Sequence, residues 1–338
     1  MITRSLGFFG TRGSAIGLGC MGMSDMFGPA DEAECIATIH AALDAGITLL
    51  DTGDFYGVGH NELLLRAALQ GRARERVVLS VKFGVLRDPA GRTIGIDGRP
   101  AAVKNFLRYT LRRLGTEYVD IYRPARVDPA VPIEETVGAM AELVTAGYVR
   151  QVGLSEAGPE TLRRAHAVHP IADVQLEYSL FSRGIEAELL PACRELGVGV
   201  TAYGVLSHGL LSGHWSAVRA RTPGDVRTSG NHFPRFNSDN LTHNLALIEA
   251  LRAGAARATV AQMAIAWVLS RGPDIVPLIG ARRRDQLAEA LGALDLRLTP
   301  DEVACMERAV PPGAVAGTRY DAAGMARLDS ERGQAVPA

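Results

Sequence analysis

Asp51, Tyr56 and Lys82 are the first side chains in the sequence whose types could do chemistry together. Asp51 ends the apolar run Ile47-Thr48-Leu49-Leu50, Tyr56 follows in a loop bounded by Gly53 and Gly57, and Lys82 stands between Val81 and Phe83. A phenol, with an ordinary pKa of about 10, is a poor acid at neutral pH, and a neighbouring ammonium favours its ionised form and eases proton release. A carboxylate beside the lysine would keep that ammonium charged and oriented. Together the three could protonate a carbonyl oxygen as hydride reaches the carbon. Taken singly, Asp51 also suits a cap for the next helix, and Tyr56 also suits packing. Lys82 is harder to dismiss, because an ammonium in an apolar strand is costly unless paired.

Such a group needs a scaffold that brings separate strand ends to one place. From about residue 34 a phrase recurs: an apolar-periodic helix, a glycine, then a short β-branched strand. It is seen around Gly46, Gly115, Gly147, Gly197 and Gly272, and glycine suits the left-handed position that ends a helix. Strands are expected to start near 47, 77, 118, 149, 172, 198, 274 and 291. Near-continuous apolar strands alternating with helices imply a covered parallel sheet. Eight such units favour an α/β fold of the (β/α)₈ TIM-barrel type in a single domain, 1–338, with a core of about 15–310 and a C-terminal tail, 311–338. A doubly wound open sheet is the alternative, but its G-x-G-x-x-G fingerprint is missing after the first strand.

Capping boxes at Thr259 with Gln262 and at Thr299 with Glu302 place two helix starts, the second opening a last helix over 300–309. Three regions break the rhythm. Residues 1–20, with Gly7, Gly10 and Gly13, suggest a hairpin across the barrel floor. Residues 204–240, including Thr222-Pro223-Gly224 and Ser229-Gly230-Asn231, form a long loop of the kind that is usually functional or disordered. The Ala- and Gly-rich tail from Pro311 is expected to be weakly structured or to pack as an arm.

In a barrel the strand ends converge on one rim. The rim set is Asp51 with Tyr56, Lys82, the segment Arg123-Pro124-Ala125-Arg126, Ser155, Gln175, Tyr203, and Gly280 with its following arginines. His60 and His232 lie in nearby loops and read as solvated, and His166 and His169 read as exterior residues without a third metal ligand, so no metal site is expected. Composition narrows the field further. With 338 residues, 22% charged and a net charge of -1, the chain has no electrostatic footprint for nucleic acid or an anionic membrane. Four scattered cysteines without a C-x-x-C pair, and no apolar run long enough to span a bilayer, suggest a reduced, cytoplasmic setting. Oligomeric state is not legible.

In this order the motifs resemble the aldo-keto reductases over nearly the whole chain: Gly17-Leu18-Gly19-Cys20-Met21-Gly22-Met23, Asp51 to Gly57 with Asn61-Glu62, Lys82, Arg126-Val127-Asp128-Pro129, Gly153-Leu154-Ser155-Glu156, Gln175-Leu176-Glu177-Tyr178, Ala202-Tyr203 and the segment Gly280 to Glu289. The resemblance implies a barrel that binds NADPH (NADP+) without a dinucleotide-binding domain and reduces a small-molecule aldehyde or ketone. It makes Tyr56 the general acid, Lys82 the group that lowers its pKa and Asp51 the support of Lys82. Ser155 and Gln175 would hold the nicotinamide carboxamide and Tyr203 would stack on its ring, which is the positioning a protein contributes to a cofactor's chemistry. Gly19, Cys20, Met21 and Asp51 would line the cofactor, Gly204, Leu206 and Gly209 would offer backbone amides to the pyrophosphate, and Gly280, Arg282, Gln286 and Glu289 would hold the adenosine end with its 2′-phosphate.

Three positions depart from the family pattern. His208 stands where relatives with a Gly-Arg-Gly turn carry arginine, and Ala290 stands where an asparagine commonly binds adenine. Ala125 replaces a histidine that donates a hydrogen bond to the substrate carbonyl. Loss of one such donor typically costs about 10²- to 10³-fold in rate. The leading expectation is an NADPH-dependent carbonyl reductase. The alternatives are a regulatory barrel, like the β subunits of potassium channels, and a redox-neutral enzyme with tightly held cofactor.

Overall fold

The computed structural model describes residues 2–7, 12–24, 26–216, 224–228, 232–254 and 257–332. Eight parallel strands close into a barrel in sequence order. They are β1 (Gly17–Gly19), β2 (Leu49–Gly53), β3 (Val78–Phe83), β4 (Val119–Pro124), β5 (Val149–Ser155), β6 (Ile171–Glu177), β7 (Gly199–Tyr203) and β8 (Ile275–Gly280). Helices between the strands wrap the barrel, as the alternating pattern requires. Both capping boxes are formed, with Thr259 accepting from Gln262 N and Thr299 from Glu302 N, and the latter helix spans Pro300–Ala309.

One strand was misplaced. Leu291 to Leu298 is not the eighth strand: a helix over Arg284–Leu291 runs into a 3₁₀ turn over Gly292–Asp295. Its leucines pack, half-buried, against the outer core. The barrel position beside β8 is taken instead by β1, with Leu278 opposite Gly17 and Gly280 opposite Gly19. Space decides this, since a Cβ at Gly17 would run into the side chains of Leu278 and Leu49.

The hairpin expected near the N-terminus is present, pairing Thr3–Ser5 with Arg12–Ser14; Gly10, invoked for it, lies outside the described residues. It closes the barrel floor. Arg4 donates to the carbonyls of Gly272 and Leu269, both at 2.8 Å, and Leu6 joins Leu49, Val78, Ile121, Val276 and Leu278 in an apolar floor layer. The hairpin and β7 touch backbone to backbone at Gly7 and Gly199, and Gly7 has φ +69°. Above the floor, alternation along the strands turns successive inward residues polar: Ser80 and Lys82 follow Val78, Asp51 follows Leu49, and Arg123 follows Ile121. Gly199→Ala puts a methyl into the Leu6–Gly7 backbone. We expect it to lower unfolding free energy by about 1–3 kcal/mol, measured by urea denaturation.

Candidate active site

The polar layer is one connected network centred on Asp51. Its Oδ1 pairs with Lys82 Nζ, and its Oδ2 accepts from Ser80 Oγ at 2.8 Å and Gln175 Nε2 at 2.7 Å. Ser80 Oγ accepts in turn from Arg123 Nη2 at 3.1 Å, and Arg123 Nη1 donates to Asp173 Oδ2 at 3.0 Å, which also accepts from Thr201. Arg123, grouped at first with the rim, is therefore wholly buried beneath it. The reason is period two: on β4, Arg123 points inward with Ile121 and meets Asp173.

Over this network opens a cleft of about 830 Å³. Every catalytic and cofactor-binding residue that the resemblance implies lines it except Cys20; of the rim segment, Ala125 and Arg126 line it and Arg123 and Pro124 do not. Cys20 is fully buried, its N–H donates to Asp51 O and its carbonyl accepts from Asn61 Nδ2 at 2.8 Å, so its polar groups are engaged inside the protein. Glu289 accepts from His214, and Gln286 Oε1 accepts from the Arg282 N–H at 3.1 Å. Arg282 Nη1 reaches the carbonyls of Phe27, Gly28 and Pro29 at 3.1–3.3 Å and has no carboxylate partner among the described residues. Ser155 Oγ is buried with no hydrogen-bond partner among the described residues.

Tyr56 is buried to 7% exposure, with Lys82 Nζ 5.2 Å from its ring centroid. Burial and the Asp51 charge push its phenol well above the ordinary range, and the Arg126 guanidinium opposes them. Tyr56 therefore stays protonated at neutral pH. Burial also pulls the Lys82 ammonium down, against Asp51, which holds it up.

The 204–216 loop folds over one end, with a 3₁₀ segment at Ser207–Ser212. Burial brings the His208 imidazole down to about 4, so it is neutral at pH 7, and its carbonyl accepts from Arg227 Nη1 at 2.9 Å. Arg227, not singled out from sequence, thereby sits at the turn, although Asp225 pairs with it at 2.6 Å. Thr222-Pro223 and Ser229-Gly230-Asn231 lie outside the described residues. His232, expected to be solvated, is exposed and also lines the cleft, its ring edge-on to Phe233 and tilted against Tyr320.

The tail packs as an arm. Arg319 donates to Glu156 Oε1 at 2.7 Å and to Tyr203 OH at 3.0 Å, and lies 3.1 Å from Glu177 Oε2. Tyr320 OH meets Tyr203 OH at 3.2 Å. Glu156 holds a strained φ of +51°, a conformation that persists only where its surroundings enforce it. The one sequence signal for this arm was an Arg-Tyr pair in a tail otherwise rich in Ala and Gly.

Comparison with known proteins bears on what this arrangement is. The sequence profile described as Aldo/keto reductase family matches residues 15–311. The chain belongs to that family. A soybean (Glycine max) protein named probable aldo-keto reductase 1 is 41% identical over 321 residues, covering 93% of this chain and 90% of its own. A glycerol dehydrogenase from Gluconobacter oxydans is similar in structure at TM-score 0.80 and 30% identity, covering 91% of this chain and 96% of its own. The holo form of an aldo-keto reductase from Bacillus halodurans gives 0.75 and 27%, covering 92% and 96%. This aldo-keto reductase is therefore an oxidoreductase, and nicotinamide-dependent carbonyl reduction is its family's activity in general. Among the described residues, no group of His, Cys, Asp and Glu side chains could hold a metal, and no helix is long and apolar enough to cross a membrane.

The arm makes stability pH-dependent. Burial raises the Glu177 carboxyl, but chiefly the Arg319 and Arg235 guanidiniums outweigh it and bring it from 4.5 to about 2. Because the folded value is depressed, this stabilisation is complete above pH 4.5 and is lost as pH falls towards about 2. Urea unfolding across that window is expected to show stability falling with pH, with a shallower fall in Arg319→Met.

Proposed function

We propose that this protein reduces an aldehyde or ketone with NADPH, Tyr56 delivering the proton. One observation carries the reading: Asp51, fixed by Ser80, Gln175 and Lys82, lies beneath a buried, protonated Tyr56 in the cleft. The residues present fit a nicotinamide cofactor. Ser155 Oγ is an unsatisfied buried hydroxyl beside Gln175 on the neighbouring strand, as a carboxamide would require, and Tyr203 offers a ring on the same wall. Arg282, charged and without a carboxylate, suits a 2′-phosphate at the other end. The cofactor, when bound, supplies the hydride.

The chain's own work is positional and acidic. Tyr56 donates its hydroxyl proton to the developing alkoxide, and Lys82, whose charge is balanced by Asp51, stabilises the phenolate that is left. Ala125 contributes only a methyl to the cleft, so the carbonyl oxygen gains no donor there. Four cysteines without a disulfide among the described residues suit a cytoplasmic setting.

The test follows NADPH absorbance with a panel of aldehydes. Carbonyl-dependent oxidation is expected, and Tyr56→Phe should lower kcat by about 10²- to 10⁴-fold with NADPH affinity nearly unchanged. Tight NADPH binding without turnover across the panel would favour the regulatory reading instead. For cofactor choice, Arg282→Ala should weaken NADPH binding by about 10- to 100-fold while NADH binding changes little, as read by fluorescence titration.

A further inference from the structure

Most arginines buried in this barrel have a carboxylate. Arg123 pairs with Asp173, Arg227 with Asp225, Arg235 with Glu177, and Arg319 with Glu156. Arg126 is different. It is half-buried and lines the cleft beside Ala125, and although the Glu156 charge acts on it from further off, no carboxylate forms an ion pair with it among the described residues. Nη1 donates to the Ala125 carbonyl at 2.6 Å, and the guanidinium carbon is 6.0 Å from the Tyr320 ring centroid. That leaves most of its donors unused.

The charge balance of the cleft points the same way. The carboxylates lining it are Asp51, Asp285 and Glu289, engaged by Lys82, Arg283 and His214. Arg87, on the hairpin Val85–Arg87 with Thr93–Ile96 that follows β3, also lines the cleft; its Nη1 donates to the Gly91 carbonyl at 2.6 Å, and its buried Nε has no partner among the described residues. A neutral substrate would cover Arg126 without pairing it, at a desolvation cost, whereas a carboxylate would complete it with directed bonds. Arg126 and Tyr56 line the same cleft, so a group bound to the one shares that cleft with the proton donor.

We propose that the substrate is a carbonyl compound bearing a carboxylate, and that Arg126 binds this carboxylate and so orients the carbonyl against Tyr56. This rests on the reductase reading and names its substrate class. Arg126 is a substrate-binding residue in this account, and Arg87 adds to the same positive field.

Two matched pairs of probes test it: 4-formylbenzoate against methyl 4-formylbenzoate for turnover, and the corresponding alcohols for calorimetric binding to the NADP+ complex. The wild type is expected to favour the anionic member of each pair by about tenfold or more. Arg126→Gln should abolish that preference, chiefly through KM, and Arg126→Lys should retain part of it. NADPH titration checks that each variant is folded. If neither aldehyde turns over, the reductase reading fails while the binding pair still judges Arg126. Equal wild-type affinity for the two alcohols, or a preference that survives Arg126→Gln, overturns the assignment.

Discussion

The site depends on a carboxylate buried inside a barrel. Asp51 cannot be ionised there without partners, and it has three: Lys82, Ser80 and Gln175, from two different strands. Ser80 passes the connection to Arg123 and Asp173, so two acid–base pairs share one network across the barrel. Buried ion pairs of this kind seldom add net stability, because desolvation consumes much of the Coulombic gain. What they add is geometry. Removing any charged member would strand its partner's charge in a low-dielectric interior, so the side chains beneath Tyr56 have few arrangements open to them. The apolar floor layer around Leu6 and the helices outside carry the stability, and the polar layer above is left to chemistry.

That division was partly legible in the sequence. The helix–glycine–strand rhythm located seven of the eight barrel strands, and strand ends located the rim. The remaining strand escaped because Gly17-Leu18-Gly19 has no β-branched residue and is only three residues long. It is a strand by virtue of its neighbours, which leave room for glycine alone at position 17. Leu291 to Leu298 misled for the opposite reason: its apolar residues satisfy an outer surface, where periodicity looks much the same. The inward alternation of Val78, Ser80 and Lys82 and of Ile121 and Arg123 was present in the sequence and would have placed Arg123 inside. Contacts such as Arg319 with Glu156, 163 residues apart, have no local signature.

The arm shows how a distant segment can serve a local geometry. Glu156 follows Ser155 directly and keeps a left-handed backbone that an ordinary side chain avoids. Its carboxylate receives Arg319 and Ser330, and Glu177, at the end of the next strand, receives Arg319 and Arg235. The same guanidinium donates to Tyr203 OH. One arginine thus ties the ends of β5, β6 and β7 together, which are the strands that bear Ser155, Gln175 and Tyr203.

Which side chains face the cleft at the end of β4 follows from where the strand stops. Within a strand, successive side chains face opposite ways, so a residue and its successor cannot both look into the barrel. β4 ends at Pro124, and beyond it the chain leaves the pleat. Ala125 and Arg126 both line the cleft as a result. With a methyl at Ala125, Arg126 is the member of this pair that carries hydrogen-bond donors to the cleft, and its fixed charge bears on what it selects. A neutral donor would recognise any carbonyl oxygen, whereas a guanidinium left without a carboxylate favours a substrate that brings one.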